Sequence, residues 1–354
     1  MAGETIMALS KIQTVENQVV PNLGRRNLII NGAMQVAQRG TSQTGQGTSG
    51  YKTVDRFRHS ESSLGTAQFT HSQVGPATTD APDGFANSLK LTTTTAEGAV
   101  AAADRFSITY AIEGQDLQHL QYGTSSAKKV TLSFYVKSSL TGTYSVAFYA
   151  TNASTRLITS TYTINSSNTW ELKTITFDGD TSVAFINDNT AGLTIYFNLG
   201  AGSDMTSTDS TSWIDYNLAG FAYGQTAQFQ NTLNATWQIT GVQLEVGETA
   251  TDFEHRSVGE EFTLCQRYYQ IFSAGGAGTA TAASQSASAQ IGINFMTQMR
   301  DAPNITIGST SNTSNTASVS AADITEFGCR MLAMSNNSGR QYWFAKTNIA
   351  EKEL

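Results

Sequence analysis

Apolar and polar residues alternate with a period of two along most of the middle of this chain, and that alternation limits what it can fold into. Between Val130 and Lys137, Val130, Leu132, Phe134 and Val136 fall on one phase, with Thr131, Ser133, Tyr135 and Lys137 on the other. Successive strand side chains point to opposite faces, so this is the signature of a half-buried antiparallel strand. Tyr144, Val146 and Phe148 repeat the phase after a turn at Gly142, and Leu193, Ile195, Phe197 and Leu199 form a third apolar face. Two segments change phase. Residues 170–177 begin with Trp170 and Leu172 but continue with Ile175 and Phe177, which predicts a bulge near Lys173–Thr174. Residues 237–246 begin with Trp237 and Ile239 and continue with Val242, Leu244 and Val246, with Gly241 at the switch. Further strands are expected at 67–74, 87–94 and 105–113. Eight or more short strands without intervening amphipathic helices predict an all-β sandwich.

Composition supports that reading and removes other function classes. Of 354 residues, 49 are Thr and 36 Ser, with 30 Gly but only 4 Pro, which suits strands with polar outer faces and many turns. No run approaches 18 apolar residues and the first 30 residues lack a basic–apolar–small leader pattern, so neither membrane insertion nor secretion is expected. The net charge is −7. Residues 256–354 carry seven acids and seven bases, so the excess, 21 acidic against 14 basic, lies in residues 1–255. An acidic chain lacks the electrostatic footprint for phosphate backbones, so nucleic acid is not an expected partner. Cys265 and Cys329 are too few for a disulfide framework or a four-ligand zinc site and are expected as buried small hydrophobes.

The chain divides into four parts. Residues 1–26 carry a loose apolar stripe (Leu9, Ile12, Val15, Val19, Val20) ended by Pro21, Gly24 and Arg25–Arg26, either a frayed terminus or a docking segment. Residues 27–256 form the sandwich, with a helical turn at Asp116–Leu120. A connecting helix is expected within 257–272, where Phe262, Cys265, Tyr268 and Tyr269 share a face and Glu260 and Glu261 occupy the first turn. Residues 273–354 make a smaller β-domain, with strands at Ile291–Phe295, Ile305–Ile307, Ala317–Val319, Gly328–Met334 and Gln341–Lys346. The low-complexity stretch Ala274–Ala289 reads either as a flexible linker or as closely packed strand. A C-terminal unit this small is expected to lean on the first domain or on another chain.

A search for catalytic chemistry finds little. The four histidines (His59, His71, His119, His255) show no i+2 or i+4 pairing for a metal, and no nucleophile elbow, zinc helix or phosphate loop occurs. No catalytic residue, cofactor or metal is assigned. Asp204, Asp209 and Asp215 in one loop, with Asp178 and Asp180, offer oxygens to calcium or carboxylates to glycoside cleavage, but match neither an EF-hand spacing nor a recognisable acid pair. The sequons at Asn152, Asn165, Asn234, Asn304, Asn312 and Asn336 are compositional accidents in a chain rich in Asn, Ser and Thr. The most suggestive stretch is the loop 201–224. There Trp213, Tyr216, Phe221 and Tyr223 lie among short polar residues, as suits the apolar face and hydroxyl rim of a sugar. Trp213, Tyr216 and Tyr223 are candidate stacking residues, and Asp215, Asn217 and Gln225 candidate hydrogen-bonding residues. Trp213 and Phe221 have the competing role of folding back on the core.

Three stretches carry a resemblance. They are Arg26–Gly40 (RNLIINGAMQVAQRG) with Thr53–Phe57 (TVDRF), Val130–Lys137 with the strands up to Phe177, and Trp237–Gly247 (WQITGVQLEVG) leading into Phe253–Ser257 and Leu264–Tyr269. Together, over about residues 25–270, they resemble tailed-bacteriophage fibre and appendage proteins, whose sandwich is similar to carbohydrate-binding modules of jelly-roll type. The segment Thr297–Pro303 and the β-region ending at Glu353–Leu354 resemble the small terminal domain of such fibres. The resemblance implies a structural protein on the virion surface, homotrimeric, held to other virion proteins through residues 1–26 and contacting a host cell-surface glycan. It transfers no binding residue, and the segment before the sandwich is short for a long fibre. Against the glycan reading stand a capsid-decorating or connector protein of purely structural role and a polysaccharide depolymerase.

Overall fold

The computed structural model describes residues 25–75, 80–280, 287–314, 316–335 and 339–354, and these form two β-sandwiches in series. Residues 1–24, most of the expected docking segment, lie outside the described residues. The first sandwich is built from β1 (Ser42–Gln46), β2 (Gly50–Tyr51), β3 (Arg58–Ser62), β4 (Gln68–Val74), β5 (Ser88–Thr95), β6 (Arg105–Glu113) and β7 (Val130–Ser138). It continues with β8 (Gly142–Ala150), β9 (Arg156–Ile164), β10 (Glu171–Phe177), β11 (Ala191–Ala201), β12 (Ile214–Asp215) and β13 (Thr236–Val246). A six-stranded sheet in the order β1-β4-β5-β13-β7-β10 faces a seven-stranded sheet in the order β12-β9-β8-β11-β6-β3-β2. All pairings are antiparallel, as the alternation requires.

The apolar phases meet between the sheets. Aromatic pairs cross that interface, among them Phe148 on Phe177 with centroids 3.8 Å apart, Phe69 on Phe106 at 4.1 Å, and Phe134 edge-on to Phe197 at 5.3 Å. Such pairs add about 0.5–1.5 kcal/mol each beyond area burial. Trp237 and Tyr144 are fully enclosed with them. His59 of β3 and His71 of β4 also lie in this core, with His59 Nδ1 2.8 Å from His71 Nε2.

The phase switch in β13 is a bulge, with the register to β7 shifting between Thr240 and Gln243 and Gly241 at φ +61°. A Cβ at Gly241 would stand 2.7 Å from Phe85 Cζ and 3.1 Å from Tyr135 Cδ2. Gly241→Ala is therefore expected to cost about 1–3 kcal/mol, from left-handed backbone strain plus the displaced rings. An unchanged denaturation midpoint would remove this account of the bulge.

The bulge expected in 170–177 is absent. β10 runs in continuous register with β7 from Glu171 opposite Val136 to Phe177 opposite Val130. Ile175 and Phe177 share the inner phase with Glu171 and Lys173, whereas Leu172 pairs with outward Tyr135 and is 55% exposed. Apolar side chains at outward positions produced the false phase change.

Ser257 caps the helix α1 (Val258–Gln266), its hydroxyl accepting from the amide of Glu260. Cys265, Tyr268 and Tyr269 are buried, but Phe262 is 40% exposed. Glu261 turns inward instead, accepting from the amide of Asn31 at 2.7 Å and facing Arg256 at 3.4 Å.

The second sandwich follows directly. β14 (Tyr269–Ala280), β15 (Ala287–Asn294), β16 (Asn304–Thr306), β17 (Thr310–Ser314), β18 (Thr316–Thr325), β19 (Gly328–Ser335) and β20 (Gly339–Glu351) form a sheet β14-β20-β16, with β17 also on β20, against a sheet β15-β19-β18. The Gly/Ala stretch from Ala274 to Ala280 is strand paired to β20. A Cβ at Gly276 would stand 3.0 Å from the Trp343 indole nitrogen, so small residues here admit the aromatic side chains of β20. Cys329 is buried in this core, and both cysteines are free thiols.

A charged seam joins the two sandwiches, and the motif residues at 27–57 build it. Asn27 lies behind the seam within the first sandwich, accepting from the amides of Ile29 and Leu244 and donating to Val242 O. Arg39 reaches Glu351 at 2.9 Å and Glu353 at 3.0 Å while stacking 3.7 Å over the Tyr269 ring. Arg56 lies 3.5 Å over Tyr268, donates to Ala111 O and pairs with Glu353 at 2.8 Å. Glu113 receives Arg267 at 2.8 Å and the Tyr268 hydroxyl at 2.7 Å. These partners outweigh the upward push of burial and hold the Glu113 carboxyl below the usual range. The seam consumes the most distinctive polar residues of the chain in structure.

Candidate functional site

The long loop after β11 folds back on the outer face of the seven-stranded sheet. Phe221 is buried there with Ala147, Leu157 and Met205 in a satellite core. A buried polar ladder anchors it: Ser107 donates to Asn198 Oδ1, and Asn198 Nδ2 donates to Ser145 Oγ and to Phe221 O. Thr159 and Ser210 both donate to Gly220 O, where a Cβ would stand 2.9 Å from Ser210 Cβ.

The six loop residues expected to bind sugar do not converge. Trp213 is half-buried against the core, donates its indole N–H to Asp178 O at 2.6 Å and meets Tyr122 edge-on at 5.9 Å. Asp215 accepts from Arg156 at 2.6 Å, although its side chain is otherwise exposed. Asn217 accepts from the amide of Ala219, capping the short turn Leu218–Gly220. Tyr223 is half-buried. Gln225 is buried, its Oε1 accepting from Ser145 N and its Nε2 donating to Ala227 O, so both ends of the amide are engaged internally. Its assignment to a sugar contact is corrected on that ground.

Tyr216 is different. Its ring lies 5.0 Å from that of Tyr149 on β8, which in turn lies 6.3 Å from Tyr196 on β11. Tyr149 and Tyr196 occupy the outward phase of their strands, between inward Phe148 and Phe197 and their neighbours. All three tyrosines are partly exposed, and among the described residues none of their hydroxyls has a hydrogen-bond partner. Arg105 lies 4.8 Å over Phe221 and 5.6 Å over Tyr196. Burial raises the Tyr196 phenol pKa, opposed by the positive charges of Arg105 and Arg58. Tyr149 is raised by burial and by its tyrosine neighbours. The result is a row of aromatic rings with free hydroxyls beside two cations, able to stack on a pyranose and exchange hydrogen bonds with its rim. Neither Tyr149 nor Tyr196 was singled out from the sequence. The available signal was an aromatic residue on the polar phase of an alternating strand.

The other sheet carries a pocket of about 540 Å³ on its outer face, lined by Tyr135, Lys137, Asn168, Trp170 and Asp83. The Lys137 ammonium lies 5.2 Å from the Trp170 ring centroid.

The loop acids are dispersed. Asp180 binds Arg156, Asp178 faces Lys129, and Asp209 accepts from the amide and hydroxyl of Thr211, which hold its pKa down. Among the described residues no three His, Cys, Asp or Glu side chains gather as a metal site.

No protein-family model matches the chain, and no curated protein matches it. Solved structures to which part of the chain is similar include the enzymatically active domain of tailspike protein 4 from bacteriophage CBA120, at 12% identity and a TM-score of 0.34 over 63% of this chain. The match spans 22% of that tailspike chain. They also include a family 11 carbohydrate-binding module from Clostridium thermocellum, solved with a β-1,3-1,4-mixed-linked tetrasaccharide. It matches at 11% identity and a TM-score of 0.28, over 60% of this chain and 98% of that one.

Proposed function

We propose that this protein is a glycan-binding structural component of a bacteriophage particle, recognising the host surface through the tyrosine face of its seven-stranded sheet. The observation that carries the binding site is the trio Tyr149, Tyr196 and Tyr216, grouped on one face with hydroxyls that no group among the described residues engages. The virion setting rests on the sequence stretches at 26–57, 130–177 and 237–269 that resemble phage fibre proteins. In this reading residues 1–26 dock on other virion proteins and the chain works as a homotrimer. Several weak sites per particle then give firm attachment by avidity. The protein acts by binding, without turnover.

Tyr196→Ala is expected to weaken glycan or host-cell binding by about tenfold, equivalent to about 1.4 kcal/mol, with the protein still folded at the assay temperature although lost packing on Phe221 lowers its thermal midpoint. Trp170→Ala, in the pocket on the other sheet, is expected to leave binding intact. Cell-attachment assays on both variants check this. Loss of binding in Trp170→Ala with retention in Tyr196→Ala would transfer the site to the pocket. Retention in both would end the glycan reading.

A further inference from the structure

Five arginines of the first sandwich and its seam meet carboxylates, and Arg26 and Arg300 donate to backbone carbonyls instead. Arg156 binds Asp180 at 2.9 Å and Asp215 at 2.6 Å, Arg267 binds Glu113, Arg256 faces Glu261, and Arg39 and Arg56 share Glu353. Arg58 of β3 and Arg105 of β6 do not. Among the described residues neither guanidinium forms an ion pair or donates a hydrogen bond, and the Nε of Arg105 is buried without a partner. Both residues are half-buried. Asp104, next to Arg105 in sequence, turns into the fold, where its Oδ2 accepts from the amide of Ala101.

Strand register brings the two cations to the tyrosines. Arg58 stands opposite Thr109, and Thr109 opposite Tyr196, so the three form one outward row across β3, β6 and β11. Arg105 approaches the same tyrosine from the loop side, 5.6 Å from its ring centroid. A partly desolvated guanidinium without a counter-charge leaves its planar N–H edge open to a carboxylate, the group whose geometry it matches best. The chain as a whole is acidic, at −7, so attraction for an anion here is local and screened beyond about 10 Å in moderate salt.

We infer that the ligand of the tyrosine face is an acidic saccharide, a hexuronate-containing glycan that stacks on Tyr149 and Tyr196 while carboxylates of its successive residues meet Arg58 and Arg105. The inference rests on the glycan reading and names the sugar class within it. The test is calorimetric titration of the full chain with oligogalacturonate and with the same oligosaccharide after carboxyl reduction, which is neutral. The acidic form is expected to bind at least tenfold more tightly at low salt, with the advantage shrinking as salt rises. Arg58→Gln with Arg105→Gln is expected to abolish that advantage, so that this variant binds the acidic and neutral forms equally. Arg105→Lys, which keeps the charge, is expected to retain most of it. Equal binding of the two forms by the unmodified protein overturns the inference and leaves the glycan reading standing. Binding of neither form overturns it too, and the Tyr196→Ala attachment assay then decides the glycan reading separately.

Discussion

Replacing Glu353 by Ala is expected to destabilise the protein by about 3–5 kcal/mol, the cost of stranding a buried charge. Arg56 is almost wholly enclosed, and its guanidinium has Glu353 at 2.8 Å, Ala111 O at 2.7 Å and the Tyr268 ring at 3.5 Å. Arg39, also largely buried, reaches the other oxygen of the same carboxylate at 3.0 Å. One side chain thus compensates two desolvated cations and ties the end of the second sandwich to the first. The neighbouring Glu351 serves as a contrast. It also binds Arg39, but its side chain is 43% exposed, so Glu351→Ala is expected to cost under about 1 kcal/mol. Chemical denaturation of the two variants measures the difference. Equal, small effects would mean that water reaches Arg56 and that the seam is not closed.

Acidification should weaken the fold well before most carboxylates titrate. His59 and His71 are buried side by side, and burial, with charge repulsion secondary, lowers their pKa to about 2 and about 3 from 6.5. Above pH 6.5 both are neutral whether folded or unfolded, and their contribution is complete. Below that, the unfolded chain takes up protons that the folded core refuses, so stability falls as pH drops from about 6.5 toward 3. The slope is about 1.4 kcal/mol per pH unit for each histidine. Asp55 acts in the opposite sense, since burial raises its folded pKa to about 6 and the fold gains as pH falls from 6 toward 3.8. For these three groups taken together the net is a loss of roughly 1.4 kcal/mol per unit between pH 6 and 4. Urea midpoints across that interval test it. A flat profile would mean that the pair accepts a proton in the folded state.

Much of the architecture was readable residue by residue. In β13 the phase change coincides with a glycine, and the bulge at Gly241 follows because only glycine admits φ +61° against Phe85 without strain. In β10 the same reasoning misplaced a bulge, because Trp170 and Leu172 are apolar yet face outward. Alternation shows which residues share a face, not whether that face is covered. The candidate site was only partly legible. Tyr216 belongs to it, but Trp213, Asp215, Asn217 and Gln225 are bound up with backbone groups, Arg156 or the core, as packing of the loop on the sheet determines.

Local periodicity and turn chemistry by themselves determined that this chain forms antiparallel strands with one buried face, a connecting helix within residues 257–272 and a second, smaller β-region. Those properties depend on neighbours a few positions apart. Strand order decided the rest: β3, β6, β11 and β8 lie side by side, so Arg58, Tyr196 and Tyr149 share one surface although long stretches of chain separate them. Which outward side chains meet is set by hydrogen-bonded register between distant strands, and no local pattern encodes it.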